Sequence, residues 1–205
     1  VTSDLFSDKA ADWDDRPVPQ QISQGVGRAL RDRVPLSPTD VVLDFGAGTG
    51  LLAGQVAPLV DHVHAVDISA SMLDRLAAKE ELRGKVTTHC HDLLAAPLDL
   101  RVDLVVSAMA MHHVADTAGL LRALRAHLRP DGRVALADLD REDGSFHAPG
   151  TEGVFHSGFD RELLATLLVE AGFADVTFGT ATVVHKEARA YPVFLVTARA
   201  TSPRA

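Results

Sequence analysis

The sequence predicts an α/β chain: a doubly wound, Rossmann-like, mostly parallel sheet of seven strands with helices on both faces. Three observations predict it. Short apolar runs alternate with amphipathic segments of helix length. The stretches between successive runs are long enough for crossover helices, which is how parallel strands are joined. A glycine cluster closes the first apolar run, where folds of this kind turn into their first crossover helix.

The elements follow in order. Phe6 to Trp13 reads as a short helix stopped by Asp14-Asp15-Arg16-Pro17. A second helix runs from about Pro19 to Arg33, with Ile22, Val26, Ala29 and Leu30 on one face, until Pro35 and Pro38 end it. Val41–Phe45 is a buried strand, and a helix follows from about Gly50 to Ala57. His62–Val66 is the next strand, after which Ser69 caps a helix reaching about Glu81. Lys85–Cys90 and Val102–Ser107 are strands; Asp116 then caps a helix with Leu120, Leu121, Leu124 and Leu128 on one face. Pro130-Asp131-Gly132 turns the chain into a strand over Arg133–Leu139. Asp160 caps a helix closed by Gly172, and two β-rich runs, Ala174–Val184 and Tyr191–Ala198, lie close enough to pair antiparallel. Ser202–Ala205 is expected to fray.

The 205 residues suit one domain with an appendage: a helical lid over residues 1–35, then a catalytic domain over 36–200. Twenty-eight acidic against 20 basic residues give a formal charge of −8, which on average repels a phosphate backbone, so nucleic acid is not an expected partner. The apolar runs are strand-sized rather than membrane-spanning, and the polar, acidic Val1–Asp15 does not read as a signal peptide. The single cysteine, Cys90, reads as a core residue of an apolar strand and fits a reducing cytoplasm.

In an open sheet of this type ligands bind beyond the carboxyl ends of the strands. Asp44-Phe45-Gly46-Ala47-Gly48-Thr49-Gly50 lies there, with glycines for a tight turn and a helix N-terminus behind them. Asp67 ends the next strand, placed to accept from both hydroxyls of a ribose. The spacing is GxGxG, and Leu51 stands where the dinucleotide fingerprint wants its third glycine. Asp44 would repel a pyrophosphate and suits an ammonium. A ligand joining adenine, ribose and an amino-acid tail meets these demands.

These residues resemble the class I S-adenosylmethionine-dependent methyltransferases, in particular the small-molecule group that includes ubiquinone/menaquinone-type enzymes. The resemblance also takes in Ala65-Val66-Asp67-Ile68-Ser69 with Met72, Cys90-His91-Asp92-Leu93, Asp103–Ser107 and Leu128–Gly132. It implies S-adenosylmethionine as cofactor and an antiparallel last strand in the sheet. Gly46, Ala47 and Gly48 would line the methionine part, with Asp44 supporting its amino group. Asp67 would hold the ribose, Ile68 and Met72 would pack on adenine, and Asp92 with the Leu93 amide would meet its edge. Ser107 would face the cofactor tail.

Methyl transfer is an in-line displacement that needs positioning, exclusion of water and, for a protonated nucleophile, a base. His112 and His113 follow the fourth strand, where the family places groups beside the methyl; either is the expected base, and hydrogen bonding within the loop is the alternative. Asp138, Asp140, His147 and His156 lie on or after the fifth strand, in a connection long enough to be functional, and are expected near the substrate. Trp13 heads a leader expected to fold over it. Metal is not assigned, because the spacing of these histidines and acids matches no metal motif. The expected function is methyl transfer to a small molecule at O, N, S or C. An NAD-dependent oxidoreductase and a non-catalytic S-adenosylmethionine-binding protein are the alternatives.

Overall fold

Alternation along each strand, one side chain up and the next down, becomes two buried layers on the two faces of a single sheet. The computed structural model describes residues 4–201, so the expectation for Ser202–Ala205 lies outside the described residues. The strands are β1 (Val41–Phe45), β2 (His62–Asp67), β3 (Val86–Cys90), β4 (Val102–Ala108), β5 (Leu128–Leu139), β6 (Phe173–Lys186) and β7 (Arg189–Ala200). The helices are α1 (Pro17–Arg33), α2 (Leu51–Val56), α3 (Ala70–Ala77), α4 (Thr117–Ala126) and α5 (Arg161–Glu170).

The strands pair in the order β3-β2-β1-β4-β5-β7-β6. Strands β1 to β5 pair in parallel, and β7 runs antiparallel to both β5 and β6. Helices α1, α2 and α3 pack on one face against Val42, Val63, Leu104 and Leu195. Helices α4 and α5 cover the other against Leu43, Val105, Leu136 and Phe194. From β1 the chain winds outward to β2 and β3, then returns to β4 on the other side. The loops after β1, β2 and β4 therefore meet at the switch in strand order, where such sheets hold ligands.

The three expected N-caps are present. Ser69 accepts from the Met72 amide at 3.2 Å, Asp116 from Gly119 at 2.7 Å, and Asp160 from Glu162 and Leu163 at 2.9 and 3.0 Å. Each such cap stabilises its helix by about 1 kcal/mol. Four expectations need correction. Phe6–Trp13 is not one helix but 3₁₀ turns at Ser7–Lys9 and Trp13–Asp15, because a segment this short cannot repay helix nucleation. The third helix stops at Ala77, and Glu80–Leu82 forms a separate 3₁₀ turn. Pro130-Asp131-Gly132 does not break the fifth strand: Asp131 takes φ +60° and the register with β4 shifts, so a bulge absorbs the turn. Cys90 is exposed rather than core, since β3 is an edge strand with helix cover on one face only. Among the described residues, no helix is long and apolar enough to cross a membrane.

Candidate active site

The loop leaving β1 is shaped by backbone that only glycine adopts easily. Gly46 has φ +67°, and a Cβ there would lie 2.2 Å from the Ala110 Cβ. The Gly46 and Ala47 amides donate to the Val66 carbonyl at 2.9 and 3.1 Å, so the loop is pinned to the end of β2. The Gly48 amide donates to Asp67 Oδ2 at 2.8 Å, and the Ser69 amide to Asp67 Oδ1 at 2.9 Å. Neighbouring strands thus deliver Asp44 and Asp67 side by side.

The two acids differ in environment. Asp44 is fully buried, and its Oδ2 has no hydrogen-bond partner. Burial, then the nearby Asp67 charge, pushes its carboxyl up to about 8. Burial also raises Asp67, against the amides it accepts from. A buried acid with an idle oxygen fits a cationic donor, and Asp67 keeps lone pairs for hydroxyls. These residues therefore fit the ammonium and the ribose of S-adenosylmethionine.

A single cavity of about 450 Å³ runs from this end to a cluster of three histidines. His112 is buried at the end of β4. Its Nδ1 lies 2.7 Å from Asp138 Oδ1, and its amide donates to Asp138 Oδ2 at 3.1 Å. The Asp138 carboxylate accepts, so the His112 proton sits on Nδ1 and Nε2 carries a bare lone pair. That Nε2 is buried and unpartnered. His113 Nδ1 donates to the Gly153 carbonyl at 2.7 Å, which likewise leaves its Nε2 an acceptor. The His113 and His147 rings lie tilted against His112, with centroids 4.1 and 5.0 Å from it. Burial, then repulsion between charged forms of neighbouring imidazoles, lowers both His113 and His147 to about 4, so both are neutral at pH 7.

Of the other expected residues, Trp13, Ala47, Ile68, Met72, Asp92 and Leu93 line the cavity. Asp92 accepts from the Leu94 amide at 2.9 Å. Ser107 does not line it; its hydroxyl donates to the Phe45 carbonyl at 2.8 Å and ties β4 to β1. Asp138 stands behind His112. Asp140 is held by Arg161 at 2.6 and 2.7 Å, away from the cavity. His156 turns its Nε2 to the Val114 carbonyl at 3.0 Å, and its ring lies against Phe159. Among the described residues, no group of three or more His, Cys, Asp or Glu side chains is placed to hold a metal ion.

Three features escaped the sequence. Asp14, read there only as a helix stop, accepts from Thr49 Oγ1 at 2.5 Å and pairs with Lys79 at 2.6 Å, which joins the leader to the glycine loop and to the segment after α3. Phe6 meets the His113 ring edge-on at 5.2 Å. The β6–β7 hairpin props the loop that carries His147: Lys186 Nζ donates to the Phe146 carbonyl at 2.7 Å, Arg189 pairs with Asp143 at 2.6 Å, and the Tyr191 and Ser145 hydroxyls meet at 2.8 Å. No spacing rule signals any of these, since each joins residues distant in sequence.

Residues 42–132 match the family described as methyltransferase domain. An uncharacterized methyltransferase of Mycobacterium bovis is 39% identical over 110 residues, covering 53% of this chain and 55% of that protein. A malonyl-acyl-carrier-protein O-methyltransferase of Halorhodospira halophila is 31% identical over 142 residues, covering 65% of this chain and 48% of that one. The chain spans about half the length of the curated relatives it matches. Among solved structures, the methyltransferase in complex with the Trm112 activator of Haloferax volcanii has a TM-score of 0.80 at 18% identity, over 98% of this chain and 100% of that one. The N-methyltransferase NodS of Bradyrhizobium japonicum, in complex with S-adenosyl-L-homocysteine, has a TM-score of 0.70 at 16% identity, over 97% and 95%. Over residues 42–132 the chain thus carries a methyltransferase domain, and the described chain has the fold of solved methyltransferases.

Proposed function

We propose that this chain transfers a methyl group from S-adenosylmethionine to a small-molecule acceptor in a reducing, cytoplasmic setting. The observation that carries the reading is the single cavity joining the idle, buried Asp44 oxygen at one end to the His112–Asp138 pair at the other. When bound, the cofactor supplies an electrophilic methyl on a sulfonium and a neutral thioether as leaving group.

The chain's own residues do the rest. Asp44 would neutralise the ammonium and Asp67 would accept from the ribose. Ile68 and Met72 would flank the adenine, with Asp92 at its edge. Phe6 and Trp13, on the leader, would exclude water. His112 would accept the acceptor's proton at Nε2, while Asp138 holds the ring in the correct tautomer and stabilises the imidazolium.

Calorimetry with S-adenosylmethionine and with S-adenosylhomocysteine tests this. Both should bind, and Asp67→Ala should weaken each by tenfold or more, the loss expected for about 1.4 kcal/mol. A folded chain that gives no heat with either compound would overturn the proposal.

A further inference from the structure

The half of the cavity beyond Asp44 and Asp67 has its own chemistry. Its wall is Trp13, Ile22, Met109, Phe146 and Phe155, with the histidines set into it. His112 and His113 have each committed Nδ1–H to an oxygen at 2.7 Å, so both present bare Nε2 acceptors. An apolar slot that sets two fixed acceptors side by side favours a molecule that donates to them.

Charge narrows the choice. The surroundings that hold His113 and His147 neutral would charge the same desolvation cost to an ammonium. An anion would find no lysine or arginine among the described lining residues. The nearby Lys186 is spent on Phe146, whose carbonyl it reaches at 2.7 Å and whose ring at 3.7 Å. Acidity narrows it further. A phenolic hydroxyl, with an ordinary pKa of about 10, lies within reach of an imidazole base of about 6.5, whereas an alkyl alcohol does not. A thiol is acidic enough but donates only weakly.

We infer that the acceptor is an uncharged, largely apolar molecule bearing a phenol- or enol-type hydroxyl that donates to His112 Nε2, with His113 Nε2 beside it. This presupposes the methyl-transfer reading above. In the step, the acceptor oxygen forms a bond to the methyl carbon as the carbon–sulfur bond breaks. The hydroxyl proton goes to His112 Nε2 and later to water. The products are a methyl ether and S-adenosylhomocysteine.

The test uses methyl-labelled S-adenosylmethionine with four acceptors on one skeleton: 2-naphthol, naphthalene-2-thiol, 2-naphthylmethylamine and 2-naphthoate. The naphthol should be methylated at least tenfold faster than the others, and Asp138→Asn should slow it by about a hundredfold or more while cofactor affinity stays within threefold. A preference for the amine, carboxylate or thiol would overturn this inference and leave methyl transfer standing. Absence of cofactor binding would instead overturn the reading beneath it. If none of the four is methylated, quenching of Trp13, the only tryptophan of the chain, decides. At pH 6, where 4-nitrophenol is mostly uncharged and 4-nitrobenzoate is an anion, saturable quenching by the phenol and none by the benzoate supports the inference; the reverse, or no quenching by either, overturns it.

Discussion

Asp44 holds a buried carboxyl of which one oxygen, Oδ2, has no partner. Its raised value, about 8, means that it is protonated in the free protein at pH 7. An ammonium brought against it favours the carboxylate, so binding should expel that proton. Calorimetry of S-adenosylmethionine at pH 7, in buffers of different ionisation enthalpy, should show release approaching one proton. The release should fade as pH rises past about 8, and Asp44→Asn should show none. Wild-type binding without release would place the ammonium elsewhere. The sign for stability follows. A carboxyl raised on folding contributes stability that is full below its unfolded range and lost as pH rises through the folded value, a loss the asparagine variant escapes. Asp44 and Asp67 were legible because a strand end and a glycine loop are local patterns. The His112–Asp138 pair was not. Both residues were singled out, but they stand 26 residues apart and only the sheet register brings them together.

The leader before α1 is fastened by polar ties along its length. Asp4 accepts from the Ser69 and Ser71 hydroxyls at 2.9 and 2.7 Å, Arg75 donates to the Ala11 carbonyl at 2.5 Å, and Asp14 accepts from Thr49 and pairs with Lys79. Exposed ties such as those of Arg75 and Lys79 are worth about 1 kcal/mol or less each, so removing both loosens the leader without unfolding the domain. The double variant Arg75→Ala/Lys79→Ala should raise the acceptor KM severalfold and speed cleavage within residues 4–16 under limited proteolysis. The melting temperature should fall by no more than a few degrees, because about 1 kcal/mol corresponds to 2–4 °C at this size. A leader that resists protease as well in the variant as in the wild type would contradict this. Elements with strong end signals were readable: Ser69, Asp116 and Asp160 each cap a helix. The fifth strand was misjudged because Pro-Asp-Gly has the composition of a turn, and only pairing with β4 makes it a bulge. The edge position that exposes Cys90 is likewise a property of the sheet order.

Across the whole molecule the site and the stability are unevenly shared. The loops that build the cavity rise from β1, β2, β3, β4 and β5, whereas β7 and α5 contribute core on the far side of the sheet order. Phe194 on β7 is fully buried and meets Phe159 and Phe178 edge-on at 6.4 and 5.5 Å. Phe194→Ala should cost about 3–5 kcal/mol, a fall in melting temperature of roughly 6–20 °C, with cofactor affinity changed less than threefold. A large loss of affinity would show that the core and the site are coupled. The fold class was legible because alternation and connection length are properties of the whole chain. The place of β7 came from family resemblance, since periodicity does not reveal which neighbours a strand chooses. The hairpin that props the His147 loop divides labour in a further way. Lys186, Arg189 and Tyr191 govern the far wall from a turn on the outside of the protein, remote from the glycine loop. Rewriting that external bend would therefore reshape the far wall without touching Asp44, Asp67 or the glycine loop.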